Sequence, residues 1–200
     1  MVTVTTVLEL PVVRVQVQLR PVKPGRTPWR VYEPAALQRV ASLRVSRRGV
    51  VGVDADGTEH VDVHHQDHPL CRDRKGLAGI SIMTTGDYAA LRARYGSHLA
   101  DGVAGESILL DHAAGLACRA MPASLSIRAT DGTVLPLTGV HIAAPCVEFT
   151  RYCLRLPASD RVGDDVTAGL RDLDGGARGY KMVAGGDGHI RPGDVLVIEL

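Results

Sequence analysis

Hydrophobic positions along the chain recur at two periods. Val13, Val15, Val17 and Leu19 alternate with Arg14, Gln16 and Gln18, the pattern of a strand with one buried face. Residues 2–7 before them are β-branched throughout, and Pro11 divides the two runs, so the N-terminal segment reads as paired strands. Three prolines and Gly25 make residues 21–28 a loop, after which Pro34 opens a short helix with Leu37 and Val40 inward. Residues 43–53 read as strand, and Asp56-Gly57 as a hairpin turn leading into Val61 and Val63. Ile80, Ile82 and Met83 mark another strand. A helix is predicted over residues 86–95: Thr84 and Asp87 supply the cap, Tyr88, Leu91 and Tyr95 share a face, and Gly96 ends it. Further strands are expected at 107–110, 123–127, 134–143 and 195–200. Val166, Leu170 and Leu173 predict a helix from near Asp164, stopped by Gly175-Gly176. Many short strands, few helices and no βαβ alternation or repeat predict a mainly β fold, a closed barrel with helical decorations.

The 200 residues suit one domain, and 45% apolar with 22% charged residues is enough to bury a core. Seven aromatic residues and a net charge of +1 argue against nucleic acid as a main partner. The charge is uneven, with nine Lys/Arg against two acids in residues 1–50 and fourteen against twenty beyond. That asymmetry reads either as a basic wall for an anionic ligand or as ordinary complementarity between two parts of one surface. No apolar run reaches the roughly 20 residues of a membrane span, and Glu9 and Pro11 interrupt what a signal peptide would need, so a cytoplasmic protein is expected. Cys71, Cys118, Cys146 and Cys153 form no Cys-x-x-Cys pair and are expected to be reduced.

Several segments carry candidate chemistry. Cys71-Arg72-Asp73-Arg74-Lys75 sets a thiol among three cations, a phosphate anchor or a solvated loop. His60, Asp62 and His64 fall on one face if their segment is a strand, which offers three N/O ligands for a metal-dependent hydrolase; a lining role at a substrate mouth is the other functional reading, and surface hydrogen bonding the bland one. Glu106 either acts as a general acid/base or caps the turn of Gly102-Val-Ala-Gly105. Arg191-Pro-Gly-Asp194 reads as a turn with structural Gly and Asp. Walker, nucleophile-elbow and Rossmann motifs are all missing from the sequence.

Taken in order, Gly102-Val-Ala-Gly105-Glu106 before a strand, Pro145-Cys146, Arg178-Gly179-Tyr180, and Gly188-His-Ile-Arg191-Pro-Gly193-Asp194 before the last strand resemble the MOSC domain, found in molybdenum-cofactor sulfurases and amidoxime-reducing enzymes. The resemblance covers about residues 40–200, with 1–40 an N-terminal addition to the same domain. Ser107 stands where the family has Asn, and Gly49-Val-Val-Gly52-Val-Asp54 only loosely follows its early Gly-Asp pattern. The resemblance implies a distorted barrel of the pyruvate-kinase-barrel type and a molybdenum-pterin cofactor (molybdopterin). Cys146 would then be the thiol that ligates molybdenum or carries sulfur, placed where Pro145 breaks a strand at a barrel mouth. Cys153 would be core or a resolving thiol. Arg72, Arg74 and Lys75, and secondly Arg178 and Lys181, would hold the cofactor. The implied chemistry is either reduction of small N-hydroxylated compounds or sulfur transfer, each needing an external electron or sulfur donor protein. The alternative is a non-catalytic binding or carrier module without cofactor.

Overall fold

The structure, a computed structural model, describes residues 6–73, 76, 77 and 79–200. Its strands are β1 (Val7–Gln18), β2 (Leu37–Val40), β3 (Ser42–Ser46), β4 (Gly49–Val53), β5 (Glu59–Val61), β6 (Ile80–Thr84), β7 (Ile108–Leu110), β8 (Ser124–Arg128), β9 (Val134–Ile142), β10 (Tyr180–Ala184), β11 (Gly188–Ile190) and β12 (Val195–Glu199). The helices are α1 (Thr85–Tyr95), α2 (Val147–Leu154) and α3 (Asp164–Asp172). Seven strands close a barrel in the order β1-β12-β8-β9-β10-β6-β7 and back to β1, antiparallel throughout except β6 against β7. The mainly β, closed-barrel expectation therefore holds. β2 extends the sheet from β1, and β11, β3, β4 and β5 form a separate four-stranded sheet.

The N-terminal strands differ from the prediction. Pro11 does not divide two strands but lies inside the single twelve-residue β1. It sits where pairing with β12 ends and pairing with β7 begins, so its missing N–H interrupts neither ladder. The register against β7 shifts between Val12 and Arg14, the signature of a bulge that changes which side chains face inward. Leu10 and Val12 are buried before it and Val15 and Val17 after it, while Val13 and Leu19, expected inside, are more than a third exposed. The helix expected after Pro34 is only a 3₁₀ turn at Pro34–Ala36, because Leu37–Val40 pairs with β1 as β2. The stretch at 43–53 folds back on itself as the β3–β4 hairpin.

Two apolar layers result. Val15, Val17, Ile80, Ile82, Tyr180 and Met182 point into the barrel. On the outer face of the same wall, Met83 and Leu109 pack with Tyr32, Tyr88, Leu91, Phe149 and Cys153 beneath the helices. Helix α1 starts where it was predicted, through a capping box: Thr84 Oγ1 accepts from Asp87 N at 3.1 Å and Asp87 Oδ2 accepts from Thr84 N at 3.2 Å. Asp87 also ties the next loop down, since its Oδ1 accepts from the Leu116 and Ala117 N–H groups at 2.9 and 3.1 Å. Asp194 closes the Arg191–Asp194 turn as expected, accepting from Arg191 N and Thr130 N at 2.8 and 3.0 Å.

Asp87→Ala strands several largely buried N–H donors, at about 1–3 kcal/mol each, and is expected to lower stability by about 3 kcal/mol or more. Urea unfolding followed by circular dichroism measures it; a loss below about 1 kcal/mol would contradict this role for the carboxylate.

Candidate functional site

The alternation of the barrel strands decides where the polar side chains go. Between the inward pairs Val15/Val17, Ile80/Ile82 and Tyr180/Met182 lie Gln16, Ser81 and Lys181, and Gln18 follows Val17. These residues face outward. Gln16 and Gln18 are nevertheless buried, because the 102–106 loop lies over them: Gln16 Nε2 donates to the carbonyls of Gly102 and Glu106, and Gln18 Nε2 to that of Gly105, all at 2.7 Å. Gly105 has φ +85°, and a Cβ there would come within 2.9 Å of Gln18 Nε2, so only glycine lets the loop settle this closely.

Beside this loop is a cleft enclosing about 690 Å³ of empty space, part of it open to solvent. Its floor and walls include Gln18, Ser81, Glu106, Cys146, Arg178 and Lys181, with Lys23, Tyr32 and His64 closing the rest. The site therefore lies against the outer wall of the barrel, between β1, β6 and β10 and the loops that cover them. This corrects the expected position of Cys146 at a barrel mouth. Period-two parity, altered by the bulge in β1, sends the polar side chains outward.

Cys146 is half-buried and forms the N-cap of α2, the helix that follows Pro145. Arg178 Nη1 donates to its Sγ at 3.6 Å, while Nη2 donates to the Ala104 carbonyl at 3.0 Å. The guanidinium is further fixed by lying 4.2 Å from the centroid of the Phe149 ring. Gly179 permits this placement: its φ is +78°, and a Cβ would sit 1.8 Å from the Ile82 carbonyl oxygen. Lys181 reaches the same cleft from β10, and burial, followed by the charges of Arg178 and Lys23, holds its pKa below that of an ordinary lysine. Among the described residues no carboxylate is in ion-pair contact with Lys23, Arg178 or Lys181.

Glu106 does not cap the glycine turn. Its carboxyl is buried in the cleft wall, with Oε2 accepting from the Tyr88 hydroxyl at 2.7 Å, and Tyr88 in turn accepts from Ala104 N at 2.9 Å. Burial raises the Glu106 pKa to about 7 against the opposing Tyr88 hydrogen bond. Glu106 Oε1 and Arg178 Nε are buried without partners, so polar capacity remains for a bound polar ligand to satisfy.

The other sequence candidates are dispersed. Arg72 is exposed and lines a hollow adjoining the cleft, the two sharing Gln18, Val22, Lys23 and His64. Arg74 and Lys75 lie outside the described residues. Cys71 is half-buried with its Sγ against the His64 carbonyl at 3.4 Å, outside the cleft lining. Cys153 is buried in the helical layer, and burial pushes its thiol pKa up to about 12, which makes it core and unsuited to resolving a reaction at Cys146. His60, Asp62 and His64 do not converge: His60 pairs with Asp54 at 2.8 Å, whereas Asp62 pairs with His64 at 2.9 Å. Among the described residues, no three His, Cys, Asp or Glu side chains gather as metal ligands. Lys23, Tyr32 and Ser81 were missed by sequence reasoning, and the basic excess of residues 1–50 was the only signal that touched any of them, at Lys23.

In sequence, no family model and no curated protein matches the chain. In structure, it is similar to the YuaD protein of Bacillus subtilis, with a TM-score of 0.57 and 13% identity over 98% of both chains. A hypothetical protein is also similar, with a TM-score of 0.54 and 12% identity over 96% of this chain and 69% of that one. At such identities these likenesses show a shared fold.

Because the Glu106 pKa is raised from 4.5 to about 7 on folding, its neutral form stabilises the protein fully below pH 4.5, and that contribution is lost as pH rises through 7. Glu106→Gln, which cannot ionise, is expected to match the parent near pH 4.5 and to exceed its stability by about 3 kcal/mol at pH 8.5. Unfolding curves at the two pH values measure this. Equal differences at both would show that Glu106 ionises normally.

Proposed function

We propose that the chain is a MOSC-like protein that binds a molybdenum-pterin cofactor through the Cys146 thiolate and acts in the cytoplasm. The observation that carries the reading is a thiol facing a cleft whose cations, Arg178, Lys181 and Lys23, are in ion-pair contact with no carboxylate among the described residues, Asp73 acting on Lys181 through its charge alone. Their charge suits an anionic group, and sulfur is the soft ligand that suits a thiophilic metal. The unpartnered Arg178 Nε and Glu106 Oε1 suit a ligand rich in hydrogen-bonding atoms. The residues present therefore fit the group.

Cys146 would ligate the metal or carry sulfur, Arg178 would hold that sulfur in place, and Lys181 and Lys23 would bind the phosphate, with Arg72 within the adjoining hollow as a further cation. When bound, the cofactor supplies two-electron redox chemistry at molybdenum. For an N-hydroxylated substrate the balance is R–NH–OH + 2 e⁻ + 2 H⁺ → R–NH₂ + H₂O, with the electrons from an external donor protein. In the sulfur-transfer version the external partner is a persulfide donor instead. Glu106, buried beside the cleft and titrating near neutrality, is suited to hold one of the protons.

A second reading, a MOSC-like binding or carrier module without the cofactor, draws on Ser107. Its hydroxyl accepts from Ser81 N at 2.8 Å and donates to Ser81 O at 3.1 Å, so at the position where the family has Asn this side chain is spent on the neighbouring strand.

Protein produced in a host that makes the cofactor is expected to contain molybdenum and an oxidisable pterin in equal amounts. Cys146→Ser is expected to lose metal retention or sulfur loading while its unfolding midpoint changes little. Arg178→Ala is expected to weaken cofactor binding by about 1.5–3 kcal/mol, the range for a hydrogen bond to a charged group. Metal-free parent protein would favour the carrier reading, and unchanged molybdenum in Cys146→Ser would remove this thiol from the site.

A further inference from the structure

The outer part of the cleft contains a pair that the reading above leaves unused. Asp62 is 4% exposed, and its carboxylate is anchored by two backbone groups: Gln18 N donates to Oδ2 at 2.7 Å and His64 N to Oδ1 at 2.8 Å. The His64 ring folds back onto the same carboxylate, with Nδ1 2.9 Å from Oδ1. A carboxylate offers only lone pairs, so Nδ1 must carry the hydrogen. The proton that His64 can gain or lose then sits at Nε2, for which no hydrogen-bond partner is found among the described residues. The side chain is one-third exposed, and it lines both the cleft and the adjoining hollow.

We propose that His64 is the acid–base residue of this cleft, held by Asp62 so that Nε2 exchanges a proton with the bound ligand. Orientation of an imidazole by a buried carboxylate on one nitrogen, leaving the other directed at the reacting group, is the general arrangement of an enzymic base. Asp62 is accordingly a positioning residue. The groups that share the cleft and hollow with His64 are the cations Lys23, Arg72, Arg178 and Lys181 and the titratable Tyr32, Glu106 and Cys146. Asp62 is in contact with its ring, while Asp67 faces His65 and Asp54 faces His60.

This inference rests on the cofactor-dependent reading for its chemistry. In reduction of an N-hydroxylated compound, protonated Nε2 gives its hydrogen to the departing oxygen as the N–O bond breaks. The external donor supplies the electron pair, the second proton, the one Glu106 is suited to hold, goes to the nitrogen, and water leaves. His64 then takes a proton back from solvent. The hollow beyond His64 is lined by Pro21, Val22, Val63 and Leu70, which suit an apolar substituent on that nitrogen, together with Gln18, Lys23 and Arg72.

Two measurements test the assignment. In metal-free protein labelled with ¹⁵N-histidine, the neutral ring of His64 is expected to show a protonated Nδ1 and a bare Nε2, and Asp62→Asn is expected to shift it towards the Nε2–H tautomer. In the loaded enzyme, His64→Gln is expected to lower kcat at least 100-fold with molybdenum content unchanged, to flatten its pH profile, and to recover partly with added imidazole. A Nε2–H tautomer in the parent protein, or a His64→Gln enzyme with the parental kcat and pH profile, overturns the proposal. The tautomer is read without metal, so failure to load molybdenum sinks the cofactor reading alone.

Discussion

The site depends on one strand serving two layers. β1 buries Val15 and Val17 inside the barrel and, on its opposite face, uses the amides of Gln16 and Gln18 to hold the carbonyls of the 102–106 loop. The loop in turn supplies the Ala104 carbonyl that fixes Arg178 and brings Glu106 to the cleft wall. A buried amide left without acceptors costs about as much as several ordinary hydrogen bonds gain, so loop and strand form one unit. The bulge between Val12 and Arg14 shifts the inward and outward faces of β1 between its first half and the half that does this.

The chemistry of the cleft follows from what the wall leaves unpaired. Arg178 is locked by a carbonyl, a thiol and an aromatic face, none of which neutralises it. Lys181 is buried enough for desolvation to oppose its charge. Cations arranged this way raise the cost of an empty site and lower that of an anionic occupant. Glu106 and His64 add proton-exchange capacity on the same surface: one is a buried acid hydrogen-bonded by Tyr88, the other an imidazole oriented by Asp62. Each is held by a side chain that backbone N–H groups fix in turn, Tyr88 by Ala104 and Asp62 by Gln18 and His64, which limits how far either can move.

Much of this was legible in the residues. The Thr84/Asp87 capping box and the turn of Arg191–Asp194 are local signals that formed as read, and the alternation at Val15 and Val17 gave their buried face, although Val13 and Leu19 of the same run turned outward. Legibility ended where partners distant in sequence decided the outcome. Leu37 to Val40 had a helical start at Pro34 but became a strand, because β1 offered a ladder. Pro11 looked like a boundary, yet a change of partner strand made it harmless. Cys146, Arg178 and Lys181 were singled out as candidates and share the cleft, but Arg72 reaches only its neighbouring hollow. Lys23 lies in a loop that carries turn signals and shares only in the basic excess of residues 1–50, and Tyr32 follows that loop with no local pattern to mark it.

The amino-acid order by itself determined a mainly β chain with an apolar barrel interior, since period-two alternation and glycine-bounded turns act over a few residues. It also determined which cysteine follows a proline at a strand's end, whereas the helix that starts there, α2, was found only in the structure. Only the tertiary structure decided that the thiol, the cations, the buried acid and the Asp62–His64 pair meet on the outside of that barrel. Their meeting depends on pairing between strands and loops distant in the chain, which no local window of sequence encodes.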